Sequence, residues 1–77
     1  MEQAKPREFK VLQIRDIPSL RRDRLGRWDK VILYELPSGD RYTVSIPREE
    51  FNEQRLIEAV RADIEERARW QGKTFRL

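Results

Sequence analysis

The sequence predicts an α+β domain: a three-stranded antiparallel sheet in β-β-β-α order with one C-terminal helix packed on one face. Three observations carry this. Residues 8–17 and 29–46 are rich in β-branched, aromatic and aliphatic types and are punctuated by proline and glycine. Pro37-Ser38-Gly39-Asp40 separates two alternating runs at hairpin spacing. From Asn52 onward the apolar period lengthens from two residues to that of a helix.

The first strand is expected over Glu8 to Ile17, ending at Pro18. Its alternation is broken. Phe9 and Val11 favour one face while Leu12 and Ile14 favour the other, so either both faces are partly covered or a bulge shifts the register. The hairpin is better defined, with strands Asp29–Leu36 and Arg41–Ile46 joined where Pro37 presets φ and Gly39 supplies a left-handed position. Tyr42, Val44 and Ile46 share one face, joined by Ile32, Tyr34 and Leu36, and Tyr34 beside Tyr42 reads as a cross-strand aromatic neighbour. Arg41, Thr43 and Ser45 take the other face.

A short bridge, Pro47–Phe51, leads to the helix. Asn52 is placed to cap it, and Phe51 and Leu56 then occupy the N′ and N4 positions of a hydrophobic staple. Leu56, Ile57, Val60, Ile64 and Ala68 form the expected apolar stripe. Asp63 with Arg67 and Glu65 with Arg69 are acid-before-base pairs four residues apart. Gly72 supplies the stop, and Trp70 in the last turn reads first as a lid for the tail, whose Phe75 and Leu77 fold back or stay free, and second as an interface residue. Residues 1–7 read as a flexible arm and residues 8–77 as one domain.

Composition narrows the function. At 77 residues there is room for one core, and a fold of this size buries only about 60% of the surface of its unfolded chain. Histidine and cysteine are absent, which removes the usual general base near neutrality, the strongest nucleophile, and any disulfide or thiolate metal site. The carboxylates Glu49, Glu50 and Glu53 gather where a helix dipole favours them, Glu65 and Glu66 diverge on a helix, and no calcium loop or phosphate-binding glycine pattern is present. The expectation is a protein that is not an enzyme, with no cofactor and no metal. No signal peptide or membrane span is visible, so a cytoplasmic location is expected, or assembly into a virion if the chain is phage-encoded.

Charge is unevenly placed. Residues 1–30 hold nine Lys/Arg against five Asp/Glu, a balance of +4, whereas residues 31–77 hold eight against nine, a balance of −1. The excess concentrates in the run from Pro18 to Trp28, eleven residues in a place where about 4–6 is usual. Arg21, Arg22, Arg24 and Arg27 can pair with phosphate or carboxylate and Trp28 offers a flat apolar anchor, or else Trp28 opens the second strand and closes the core edge while the arginines stay solvated. A second candidate surface follows from the layer count. One helix covers one side of a sheet, so Val31, Leu33, Thr43 and Ser45 face solvent, a partner, or a terminus acting as a lid.

The outline Trp28, strand, Ser38-Gly39, strand, helix spans about residues 28–70. In strand order it resembles the sheet-plus-helix DNA-binding domains at the N-termini of some phage integrases and in plant AP2-type factors. That resemblance implies nucleic-acid contacts from Arg41, Thr43 and Ser45 on the exposed face, a small set for groove reading. The chain also looks like short stand-alone β-β-β-α products of phage genomes. The leading expectation is a small non-enzymatic protein-interaction or structural module using the open face and the Arg/Trp loop, with a protein partner or self-association. Nucleic-acid binding through the same loop and face is the alternative. Neither a membrane nor a small-molecule substrate is expected.

Overall fold

A computed structural model describes residues 8–77, and the arm expected at residues 1–7 lies outside them. The order is β1 (Lys10–Pro18), β2 (Trp28–Glu35), β3 (Arg41–Pro47) and α1 (Glu53–Trp70). Single 3-10 turns occupy Arg22–Arg24 and Arg48–Glu50. The strands form one antiparallel sheet in the order β1-β2-β3. The expected α+β architecture is the observed one.

Five strand boundaries move. β1 begins two residues late at Lys10 and runs on through Pro18, β2 begins and ends one residue early at Trp28 and Glu35, and β3 continues to Pro47. Both prolines close edge strands, where a missing N–H interrupts no inner ladder. The connection between β1 and β2 therefore shortens to Ser19–Arg27, and Trp28 belongs to the sheet.

A bulge explains the irregular first strand. Val11 stands opposite Tyr34 and Gln13 opposite Leu33, so Leu12 is the extra residue. Residues directly opposite share a face. Val11 and Ile14 thus join the rows of Tyr34 and Ile32 on the helix side, although both stay exposed at the edge strand.

The core consists of Ile32, Tyr34, Val44, Ile46 and Val60, with Phe9, Leu36, Tyr42, Phe51, Leu56, Ala59 and Ile64 packed around it. Burying such side chains contributes about 1.5–3 kcal/mol each. The hairpin turn is as expected. Leu36 N–H donates to the Asp40 carbonyl at 2.9 Å, Gly39 N–H donates to the Leu36 carbonyl at 2.8 Å, and Gly39 takes φ +92°. At the helix start the Asn52 side chain accepts from the Arg55 N–H at 2.8 Å, and Phe51 and Leu56 both lie against the core. Gly72 adopts φ +81° just beyond the helix end. Phe75 folds back on Trp70 with ring centroids 5.8 Å apart, so the tryptophan does receive the tail.

The helix is rotated relative to the expected stripe. Ile57 and Ala68 are exposed, while Ala59 and Asp63 turn toward the sheet. A buried phenol accounts for this. The Tyr34 hydroxyl donates to Asp63 Oδ2 at 2.6 Å, and Arg67 Nε donates to the same oxygen at 3.0 Å. Without Asp63 that hydroxyl would be buried unpaired, at a cost of about 1–3 kcal/mol. The Arg67 guanidinium also lies 3.9 Å from the Tyr42 ring centroid, and Tyr42 and Tyr34 are neighbours with centroids 6.0 Å apart. Of the two expected helical ion pairs Asp63–Arg67 forms. Arg69 instead approaches Glu66, at 3.8 Å.

Candidate interaction surface

The long connection is a built structure. Its ends are closed by the Ser19 N–H donating to the Arg27 carbonyl at 2.9 Å. Inside, Arg24 N–H donates to the Arg21 carbonyl and Arg27 N–H to the Arg24 carbonyl, both at 3.0 Å, forming the 3-10 turn and its exit. Gly26 at φ +81° permits the reversal that returns the chain to β2.

One side chain locks this backbone to the rest of the molecule. Arg24 Nε donates to Asp29 Oδ1 at 3.1 Å, Nη1 to Glu49 Oε1 at 2.6 Å, and Nη2 to the Trp28 carbonyl at 3.1 Å. The guanidinium is thereby tied to the loop's own exit, to β2, and to the 3-10 turn before the helix. Its side chain is 14% exposed, and Asp29 is 7% exposed. The bond from Arg24 holds the Glu49 carboxyl below its usual range, and Glu49 in turn holds the Arg24 guanidinium charged. Glu49 therefore stabilises the loop by pairing; it precedes the helix and does not serve the helix dipole.

This arrangement divides the four arginines. Arg24 is turned inward, which corrects its reading as an outward contact, because its three nitrogens donate to Asp29, Glu49 and the Trp28 carbonyl. Arg21 forms a two-point pair with Asp23, at 2.9 and 3.2 Å, on the loop surface. Arg22 and Arg27 are exposed. The loop's free cationic character is thus about half of what its composition suggests.

Apolar side chains are exposed among these charges. Leu20 is 90% exposed, Leu25 77% and Trp28 44%. The sequence held a signal for the two leucines, since each sits in a polar arginine run with no periodic apolar neighbours, but the arginines overshadow it. Leu20 and Leu25 lie in the loop and Trp28 opens β2; of the three, tryptophan is the type enriched at the centres of protein contacts.

The second surface is the sheet face away from the helix. The register sets Gln13, Leu33 and Thr43 in one row and Arg15, Val31 and Ser45 in the next. Val31 and Leu33 are half-buried, Thr43 and Ser45 exposed. Arg41 is paired with Glu35 at 2.8 Å, so its charge is largely answered within the sheet. The face is mixed, narrow and less apolar than the loop.

A third cluster carries little chemistry. Tyr34 and Asp63 are an acid and an acceptor in contact, yet burial, and then the bond to Asp63, push the phenol's ionisation well above its ordinary value. Arg67 already pairs with Asp63. The cluster orients the helix, and its phenol stays protonated near neutrality.

The chain is a small α+β fold in which Leu20 and Leu25 of the first loop and Trp28 at the start of β2 are exposed. No family model, curated protein or solved structure matches the chain. Among the described residues no helix is long and apolar enough to cross a membrane.

Proposed function

We infer that this chain is a non-enzymatic interaction module that docks on a protein partner through the loop Ser19–Arg27 and Trp28 at the start of β2. The observation that carries this reading is the exposure of Leu20, Leu25 and Trp28 on a backbone fixed by Arg24. Exposed leucines on a mobile tip are a liability; on a locked loop they are a shaped surface. Arg22 and Arg27 flank the anchor as rim charges, which favours a partner face with carboxylates around an apolar hollow. Against nucleic acid stand the internal use of Arg24 and the pairing of Arg21 with Asp23, which leave two free arginines where phosphate tracking needs a longer basic stripe.

Photo-crosslinking tests the reading. A photoreactive residue at position 25, with a control at Arg61 on the helix, is irradiated in the cells that encode the chain. The expected outcome is a discrete protein adduct from position 25 that disappears with Trp28→Ala. An adduct with nucleic acid, or identical adducts from both positions, would sink it.

A further inference from the structure

The sheet has two edges, and they are built differently. β1 is interrupted by its bulge at Leu12, a device that spoils pairing with a further strand. β3 has no such interruption. Its seven residues pair with β2 in continuous register from Arg41 opposite Glu35 to Pro47 opposite Asp29.

The turn determines which backbone groups of β3 are free. Leu36 N–H donates to Asp40, so by the antiparallel alternation Tyr42, Val44 and Ile46 exchange bonds with β2. Arg41, Thr43 and Ser45 then direct their N–H and C=O groups outward. All three are exposed, and no described residue pairs with the outward backbone of Thr43 or Ser45. Pro47 is next in the outward row, where its missing N–H leaves the inner ladder whole.

We propose that β3 pairs antiparallel with β3 of a second copy of this chain about a twofold axis through Val44, joining two sheets into one of six strands. The strand's own sequence argues for this occupant. In the register that uses its whole length, Thr43 meets Ser45 of the partner subunit and exchanges both backbone bonds with it, twice by symmetry. Tyr42 stands opposite Ile46 of the partner subunit and Val44 opposite its own copy, on the side where Val44 and Ile46 are already buried in the core, so these positions add no new charge or exposed apolar side chain to the seam. Arg41, the one charge in the strand, meets Pro47 of the partner subunit, so no like charges oppose each other. A twofold axis between identical antiparallel strands closes the assembly at two copies. This surface is separate from the loop, and its failure would leave the loop reading standing.

Sedimentation of the full chain from micromolar to millimolar concentration tests the proposal. The wild type is expected to reach the mass of a dimer. Thr43→Lys with Ser45→Lys places lysine against lysine twice across the axis and should remain monomeric, as should Thr43→Glu with Ser45→Glu. Mixing the two variants should restore a dimer holding one of each. If the lysine variant loses its fold by circular dichroism, Ser45→Pro takes its place, since it removes an outward donor alone, and it too should be monomeric. A wild type that stays monomeric throughout overturns the proposal. So does a dimer that survives these changes or is abolished by Leu20→Ser instead.

Discussion

The sheet's two connections join neighbouring antiparallel strands, yet they are held by opposite means. The turn Pro37–Gly39 closes through its own backbone, with Gly39 in a left-handed conformation and bonds that span only residues 36 to 40. The loop Ser19–Arg27 is longer than the crossing requires and is fixed largely by a side chain, Arg24, reaching a carboxylate that lies 25 residues away in sequence. A short turn is specified by local conformational preference, whereas a long loop becomes rigid only when the fold brings charges to it. The first leaves no side chains to spare for contact. The second adds to its own backbone bonds one side chain, Arg24, that ties it to β2 and to the turn before the helix.

The comparison breaks most sharply at Arg24. Arg24→Ala strands the buried Asp29 carboxylate and is expected to destabilise the protein by about 2 kcal/mol in urea unfolding. Hydrogen exchange should quicken at Ser19 and Arg27 ahead of Leu36 and Gly39. Equal acceleration at both connections would show that the loop is not held independently. The converse change, Gly39→Ala, forces a side chain into φ +92° and should cost about 1 kcal/mol, with protection at Ser19 and Arg27 retained. The open space around Gly39 leaves backbone strain as the sole penalty.

Acid should separate the two connections without mutation. The Glu49 carboxyl is held below its ordinary value of 4.5 by Arg24, and Asp16 below 3.8 by the bond from Lys30. For a carboxylate with a depressed folded-state pKa the contribution is present above the unfolded value and is lost as pH falls through the folded one. Exchange at Ser19 and Arg27 should therefore begin to rise as pH drops below about 4.5, before the Leu36 amide is affected, after correction for intrinsic rates. Glu49→Gln should flatten that pH response. The smallest effect is expected at the displayed residues. Leu20→Ser with Leu25→Ser should alter stability by no more than about 0.5 kcal/mol, because neither side chain packs inside the fold.

Much of the architecture was legible in the chain because it is encoded locally. Pro37 and Gly39 mark the turn, Asn52 the helix start and Gly72 its end, and alternation along β3 chooses the buried face. The helix rotation was less legible. A stripe drawn from apolar residues includes Ile57 and omits Asp63, since the need of a phenol on β2 for an acceptor is a tertiary fact. The candidate surface followed the same rule. Four arginines look equivalent in sequence, and only the approach of Asp29 and Glu49 separates the internal Arg24 from the exposed Arg22 and Arg27. Once that neutralisation is known, about half of the loop's cationic character remains, beside the exposed Leu20 and Leu25.

The two tryptophans give the molecule a pair of built-in optical probes. Trp28 lies where the loop meets β2, beside the turn that precedes the helix, and Trp70 lies in the last helical turn, each about half exposed. An 18-residue helix separates their surroundings by roughly 25 Å. Emission from Trp70 registers the folding back of Phe75, and emission from Trp28 registers whatever settles on Leu20 and Leu25. Single-tryptophan forms would thus let one end of the protein be watched while the other is perturbed, with no label attached.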